Sequence, residues 1–222
     1  MKRYGQLCPL ARALDVVGER WSLLVVRELL LGPRRYTDLL AGLPGVPTNL
    51  LANRLKDLHA AGVVTQRVLP PPTAVTVYEL TEAGRALRAA LGELRAWGER
   101  YGPAPQERDA VRPAWVLLNA SGRPVAMPAD RTVELRIGNE SFDLGVDDGR
   151  LTIRSGPAHL PAATVTMPPE TLYRLLAGRL TVSRAERQST VDGDSTGARH
   201  VLDALHGAVT APLIRAPRLT SR

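Results

Sequence analysis

Cysteine is almost absent from this chain, since Cys8 is the only one among its 222 residues. A single cysteine excludes an intrachain disulfide and any metal site built from several cysteine ligands. Long apolar runs are also missing, because none approaches the ~20 residues that a membrane-spanning helix requires. Residues 1–5 lack the apolar region of a signal peptide. We therefore expect a cytoplasmic protein without a membrane partner, folded as one large or two modest domains.

The chain also lacks a complete catalytic constellation. Residues 193–197 fit the G-x-S-x-G pattern of hydrolase nucleophiles. In the order acid and then histidine, only Asp203 and His206 follow, and both lie on one short predicted helix, so the acid and the distant histidine of a hydrolase triad are missing. A turn that caps the helix is the favoured interpretation. The other histidines show no metal-ligand spacing: His59, His159 and His200. We expect no enzyme activity, no cofactor and no metal site.

Charge is present but unevenly distributed along the chain. Residues 1–101 contain 14 Lys and Arg against 9 Asp and Glu, a net charge of +5. Residues 102–222 contain 15 against 13, a net charge of +2. Because attraction to phosphates supplies most sequence-independent affinity for DNA, the excess predicts a nucleic-acid-binding domain in the N-terminal half.

The stretch 32–81 has the pattern of two helices followed by a two-stranded wing. Apolar side chains recur at helical spacing over residues 36–43, which predicts a supporting helix with one buried face. The Gly- and Pro-rich residues 42–47 end that helix. A second helix is predicted from there to about His59. This order predicts a helix-turn-helix domain.

The second helix is predicted to present a polar face to solvent. Thr48 or Val46 is expected to cap it, with Pro47 in its first turn. Its buried stripe consists of three leucines: Leu51, Leu55 and Leu58. Its opposite face carries short polar side chains and no carboxylate: Thr48, Asn49, Ala52, Asn53 and Lys56. Such a face can reach base edges in the major groove, where asparagine pairs well with adenine.

Two β-branched runs, 63–68 and 75–80, predict the strands of the wing, joined by residues 70–73. Arg34 and Arg35 lie at the start of the supporting helix, where an arginine and helical N–H groups can meet a phosphate together. The alternative is that both are solvated surface arginines. The candidate DNA contacts are Arg34, Arg35, Thr48, Asn49, Asn53, Lys56, Arg67 and Thr73.

Three further helices are predicted around this motif, at 9–17, 21–31 and 82–101, the last with Thr81 as its cap. The last helix carries a long apolar stripe: Leu87, Leu91, Leu94, Trp97 and Tyr101. We expect this stripe either to pack against the first helix of a twin subunit or to lie on its own domain. A twofold dimer would place two recognition helices ~34 Å apart, one turn of DNA or a multiple of it.

Several blocks, in order, resemble the signature of HxlR-type winged-helix transcriptional regulators. They are Cys8-Pro9-Leu10, Gly18-Glu19-Arg20-Trp21, residues 29–36, Leu55-Lys56-Asp57-Leu58 and residues 78–84. The resemblance covers roughly the first hundred residues. It implies a homodimer that binds pseudo-palindromic operators and reads them with the second helix of the motif.

The resemblance also bears on Cys8, because some relatives use a cysteine near this position as a redox switch. Cys8 precedes a predicted helix, whose dipole favours a thiolate. The alternative is a buried structural cysteine.

Residues 102–112 are rich in proline and charge and predict a linker between domain 1–101 and domain 113–222. Alternating runs at 132–137, 141–146 and 151–154, separated by the turn signals Gly138-Asn139 and Asp148-Gly149, predict an antiparallel meander. A strand at 163–167, a helix at 170–177, a strand near Thr190 and a helix at 198–208 follow. The fold class is thus α+β, with an antiparallel sheet in the second domain. Residues 115–118 fit either a helix or a strand.

The element order and several motifs of residues 130–210 resemble the sterol-carrier-protein-2-like (SCP2-like) fold. The motifs are residues 149–153, residues 163–167 followed by 170–172, residues 175–180 and Gly193-Asp194. The resemblance implies an apolar cavity for a hydrophobic small molecule. Candidate ligand contacts are Trp115, Phe142, Leu144, Ile153, Met167, Leu172 and Leu176. The alternative is that these residues are plain core.

Two functions follow for the whole chain. The first is a DNA-binding transcriptional regulator that binds as a dimer and responds to a hydrophobic small molecule in the second domain. The second is a lipid carrier or enzyme-associated protein whose N-terminal half serves dimerisation or targeting.

Overall fold

The computed structural model describes residues 3–70, 74–104, 106 and 109–209. The chain forms two compact units, Met1–Gly102 and Pro103–Arg222. Unit 1 contains α1 (Pro9–Val17), α2 (Ser22–Leu29), α3 (Tyr36–Gly42), α4 (Thr48–Ala60), β1 (Val64–Val68), β2 (Thr76–Leu80) and α5 (Glu82–Tyr101). Within the described part of the chain, no helix combines the length and the apolar character needed to cross a membrane.

The core of unit 1 is built around α2, which contacts α3, α4, α5 and β2. Val25 and Leu29 of α2 are buried, as the apolar pattern predicts. The predicted start of this helix is wrong by one residue, because Trp21 has a φ of 81° and is the N-cap. A left-handed residue cannot belong to a right-handed helix, so α2 begins at Ser22.

The two strands of the wing pair in antiparallel register, from Val64 opposite Leu80 to Val68 opposite Thr76. Arg34 joins this hairpin, since its N–H donates to the Tyr78 carbonyl at 2.9 Å and its carbonyl accepts from the Tyr78 N–H at 2.7 Å. The predicted cap of α5 is confirmed, because Thr81 Oγ1 accepts from the Gly84 N–H at 3.2 Å. The chain before α3 and the start of α5 are thus both fixed to the wing.

Gly84 is required by the close approach of α5 to the backbone of Val63, the residue before β1. A Cβ atom at this position would lie 2.2 Å from the carbonyl oxygen of Val63. We expect Gly84→Ala to lower the free energy of unfolding of unit 1 by roughly 1–3 kcal/mol, because backbone must shift to admit the methyl group. Thermal denaturation followed by circular dichroism measures this loss.

Gly92 is the matched control, because it lies on the same helix and its Cβ would meet no atom within 4 Å. Gly92→Ala should raise stability by roughly 0.5–1 kcal/mol through helix propensity. A rise in melting temperature for both variants would contradict the close contact at Gly84.

Unit 2 contains α6 (Pro113–Leu117), β3 (Val133–Ile137), β4 (Glu140–Asp147), β5 (Arg150–Ser155), β6 (Ala163–Met167), α7 (Pro169–Leu176), α8 (Val182–Arg187), β7 (Thr190–Gly193) and α9 (Ser195–Leu205). Among the described residues of this unit, the strands form one five-stranded sheet in the order β5-β4-β3-β6-β7. The unit is α+β, and residues 115–117, which fitted two interpretations, are helical. The short helix α8 was not predicted.

The prediction of an antiparallel sheet is wrong for one pairing, because β6 pairs parallel to β3, whereas β6 and β7 pair antiparallel. The meander β3-β4-β5 is antiparallel as predicted. After β5, however, the chain crosses to the edge of β3 that β4 does not occupy. There β6 pairs with β3 and runs in the same direction. Alternation of apolar and polar residues is the same in both kinds of pairing, so it does not distinguish them.

The turn predicted at Asp148-Gly149 is confirmed, since φ is 48° and 67° at these residues and they join the paired residues Asp147 and Arg150. The turn at residues 193–197 is also confirmed as a helix cap. Asp194 accepts from the Thr196 N–H at 3.0 Å and is the N-cap of α9. Hydrogen bonding from the Gly197 backbone and then from Arg131 lowers the pKa of Asp194.

Candidate DNA-binding surface

α4 separates a buried stripe from a polar face, as predicted. Leu51, Leu55 and Leu58 are between 0% and 2% exposed. The opposite side chains are all exposed: Thr48, Asn49, Ala52, Asn53 and Lys56. The predicted cap is wrong, because Pro47 is the N-cap and no side chain caps the helix. Pro47 has a φ of −65°, which its ring imposes and which leads directly into a helix.

Two side chains fix the position of α4 within unit 1. Tyr36 Oη donates a hydrogen bond to the Thr48 carbonyl at 2.7 Å, which joins the starts of α3 and α4. The Arg54 guanidinium lies 3.0 Å from Asp57 and 3.8 Å from Glu19. Sequence reasoning treated Tyr36 only as an apolar residue of α3, although its hydroxyl group signals a hydrogen-bonding role. These contacts hold the polar face at a defined angle.

The polar side chains at the centre of this face are available to an external partner. Asn53 and Lys56 make no side-chain hydrogen bond or ion pair within residues 3–70, 74–104, 106 and 109–209. Asn49 Oδ1 accepts from the Leu50 N–H at 2.9 Å, so its NH₂ group is the part that can donate outward. These groups match the donors and acceptors that read base edges.

The two arginines before α3 have different environments. Arg35 is exposed, and its backbone N–H donates to the Asp38 carboxylate at 3.1 Å. Arg34 is half-buried, and its backbone belongs to the bridge with Tyr78. Because Asp38 occupies the Arg35 N–H group, the side chain of Arg35 is the part that remains for a phosphate.

The wing presents less unpaired positive charge to a DNA partner than the sequence predicts. The Arg67 guanidinium lies against the Glu79 carboxylate, with N–O distances of 3.2–3.3 Å. A bidentate pair of this kind offsets the positive charge that Arg67 would present to DNA. Thr73, the other predicted contact of the wing, lies outside the described residues.

Unit 1 also exposes several neighbouring apolar side chains on each of two helices, α5 and α1. On α5, Leu94, Trp97 and Tyr101 are 52%, 61% and 60% exposed, whereas Leu87 and Leu91 are half-buried. On α1, Leu10 and Leu14 are 67% and 38% exposed. We call the exposed residues Leu94, Trp97 and Tyr101 the α5 face, and Leu10 and Leu14 the α1 face. Clusters of exposed apolar residues on a folded domain mark surfaces for association.

Cys8 precedes α1 as its N-cap and is exposed. The alternative of a buried structural cysteine is therefore wrong. The helix that follows, α1, begins with Pro9. The thiol is accessible to small reagents.

In unit 2, six of the seven candidate ligand contacts are buried. Phe142, Leu144, Leu172 and Leu176 are 0% exposed, and Ile153 and Met167 are at most 4% exposed. Trp115 is half-buried. A surface cleft of this unit is lined by none of these seven residues.

Residues 16–106 match the family model described as HxlR-like helix-turn-helix. The HTH-type transcriptional regulator YodB of Bacillus subtilis is 34% identical over 96 residues, which are 43% of this chain and 86% of YodB. The uncharacterized HTH-type transcriptional regulator YvaP of the same organism is 36% identical over 98 residues, 44% of this chain and 91% of YvaP.

A solved structure of reduced YodB from B. subtilis is 34% identical, covers 43% of this chain and 95% of its own, and has a TM-score of 0.39. The family match spans α2, α3, α4, the wing and α5, which together present the polar face of α4. The chain therefore belongs to the HxlR-like helix-turn-helix family of DNA-binding transcriptional regulators.

Proposed function

We propose that this regulator binds a twofold-symmetric operator as a homodimer and that α4 reads the bases in the major groove. The observation that carries the proposal is the exposed face of α4, which presents amide, hydroxyl and ammonium groups without a carboxylate. Asn49, Asn53 and Lys56 are proposed to contact base edges. Arg35 and Thr48 lie toward the N-terminal ends of α3 and α4, where phosphate contacts fix orientation.

The remaining predicted contacts take secondary roles in this proposal. Arg67 is paired with Glu79, so it contributes to DNA binding only if that partner is shared or exchanged. The backbone of Arg34 is bridged to Tyr78 and its side chain is half-buried. Thr73 stays a predicted DNA contact of the wing. Asn53, Lys56 and Arg35 are therefore expected to dominate.

The α5 face is proposed to pack against the α1 face of a second copy. Both faces are apolar, both belong to the unit that binds DNA, and a large exposed tryptophan and tyrosine are typical of interface centres. A twofold dimer uses each face twice, so two copies of α4 are presented to successive major grooves ~34 Å apart.

Selection of bound duplexes from a random pool tests this proposal directly. Full-length protein should enrich a sequence with two inverted half-sites whose centres are ~10 base pairs or a multiple apart. Enrichment of a single unrepeated half-site would contradict the dimeric arrangement, and absence of any enrichment would contradict sequence-specific reading.

For unit 2 we propose an SCP2-like domain that senses a small molecule. The order of strands and helices on which that resemblance depends is present, with α8 as an addition. The burial of Phe142, Leu144 and Leu172 favours their interpretation as core, so a ligand among them would have to displace close-packed side chains.

Deletion of residues 103–222 tests whether unit 2 is a sensor. The truncated protein should bind the operator like the full chain, because unit 1 contains α4 and both apolar faces. It should lose the response to a ligand that native mass spectrometry finds on the full protein. The coupling is expected to be ~1–3 kcal/mol and reciprocal. An unchanged full-length affinity at saturating ligand would instead favour the carrier alternative.

The exposed thiol gives a separate prediction. Diamide should change operator affinity of the wild type if Cys8 is a redox switch, because a modified thiol at the N-cap of α1 lies beside the α1 face. Cys8→Ser should bind the operator normally and be insensitive to diamide. Equal affinity of oxidised and reduced wild type in the same titration would exclude the switch.

A further inference from the structure

Unit 2 has an open cleft of about 360 Å³ between an extended segment and α9. The segment, residues 123–126, forms one wall. It is fixed along the start of β5, because the Leu151 N–H donates to the Arg123 carbonyl at 2.8 Å and the Val125 N–H donates to the Gly149 carbonyl at 3.1 Å. This wall is therefore part of the folded framework of the unit.

The other wall is one face of α9. His200, Asp203 and Ala204 line the cleft, and their spacing of three and four residues places them side by side on the helix. The neighbouring residues Val201 and Leu202 are 0% exposed and anchor the opposite face in the core. Both walls thus belong to the folded framework of the unit.

The polar groups of the cleft lack partners among the described residues. Arg123 and Asp203 form no ion pair or side-chain hydrogen bond there. His200 Nδ1 is buried without a hydrogen-bond partner within the same residues. Elsewhere in the unit, Arg199 pairs with Glu186 at 2.8 Å. A buried polar atom without a partner in a mainly apolar concavity, such as His200 Nδ1, is characteristic of ligand sites.

We propose that this cleft binds a small amphipathic monocarboxylate that also carries a hydrogen-bond donor, as a hydrophobic amino acid does. The Arg123 guanidinium matches a carboxylate. Asp203 accepts from an ammonium or hydroxyl group and repels a second negative charge, which disfavours dicarboxylates. The apolar remainder of the ligand contacts Pro124, Val125 and Ala204.

The size of the cleft supports the same class of ligand. A volume of about 360 Å³ lies near the lower end of the range of ~300–1,000 Å³ for small-molecule sites. It accommodates an amino-acid-sized molecule better than a long acyl chain. The ligand differs from the lipid-like molecule that the SCP2 resemblance implies.

Isothermal titration calorimetry of the full-length protein tests the site with three matched probes. L-leucine carries both charged groups, 4-methylpentanoate lacks the ammonium group, and L-leucinamide lacks the carboxylate. L-leucine should bind most tightly, and each analogue should bind roughly tenfold more weakly or worse, because each leaves one charged partner unsatisfied. Equal binding of all three, or binding of none, would overturn the proposal.

Variants assign the binding to the cleft. Arg123→Gln should lower the affinity for L-leucine by roughly tenfold or more, while leaving the affinity for L-leucinamide nearly unchanged. Arg187→Gln removes the same charge from an exposed position of α8 outside the cleft and should leave both affinities unchanged. Thermal denaturation of both variants verifies folding. An equal loss in the two variants would overturn the assignment to the cleft.

A regulatory role for this ligand rests on the proposed function, and a second titration separates the two. Operator binding without ligand tests the proposed function of unit 1, whereas calorimetry without DNA tests the cleft. L-leucine binding that depends on Arg123 supports the site even if operator affinity does not change. Normal operator binding without any ligand binding would overturn the site alone.

Discussion

Replacement of Trp97 by glutamate is expected to make the protein monomeric and to lower operator affinity by roughly 100-fold or more. Trp97 is 61% exposed at the centre of the α5 face, so the change places a charge in the proposed interface. A monomer contacts one half-site at a time and loses the gain from linked binding, which is commonly ~10²–10⁴-fold. Sedimentation equilibrium and fluorescence anisotropy with an operator duplex measure the two effects.

Ala96→Glu is the control for this experiment, because Ala96 is exposed on the opposite side of α5. It adds the same charge to the same helix, so it should leave both mass and affinity unchanged. A dimeric Trp97→Glu protein with normal operator affinity would contradict the assignment of the α5 face.

The second large effect concerns the separation of base reading from phosphate binding. Asn53→Ala is expected to lower affinity for the operator by ~1–3 kcal/mol and to leave non-specific binding nearly intact, because its amide is assigned to a base edge. Arg35→Ala should weaken binding to all DNA and reduce the salt slope by about one. Titrations against operator and unrelated duplexes at several salt concentrations distinguish these outcomes.

The two variants are controls for each other, since both residues are exposed in unit 1. Equal losses on all DNA from both substitutions would contradict the assignment of α4 as the reading helix. A specific loss from Arg35→Ala alone would move base recognition from α4 to the start of α3.

Much of unit 1 could be predicted because its helices carry strong periodic patterns. Leu51, Leu55 and Leu58 recur at helical spacing, and this alone identified the exposed face of α4. Thr81 was identifiable as a cap because its hydroxyl precedes a long helical pattern. Such local patterns predict the structure well, because the interactions involved join residues that are only a few positions apart in the chain.

The errors occurred where tertiary contacts decide the outcome. Trp21 has a left-handed conformation and is the N-cap of α2. Its apolar side chain nevertheless fits the helical pattern, so the sequence predicted it as the first residue of that helix. The pairing of β6 with β3 depends on the path of residues 156–162, which no alternation pattern reports. The exposure of Cys8 depends on which other parts of the folded chain pack against it, and no local pattern reports this.

The candidate sites differ in the same way. The polar face of α4 is a property of one helix, so the sequence identifies it. The cleft of unit 2 joins Arg123 to His200 and Asp203 across almost eighty residues of chain, and none of these residues has a motif of its own. Only the folded arrangement brings them to one place.

Hydroxyl-radical footprinting of the selected operator tests whether the protein binds it as a twofold dimer, because footprinting reports where each subunit contacts the DNA. We expect two protected patches related by a twofold axis, with centres ~10 base pairs or a multiple apart. In the Trp97→Glu variant, protection at a given protein concentration should fall in both patches together. A single asymmetric patch from the wild-type protein, unchanged in that variant, would contradict binding as a dimer through the α5 face.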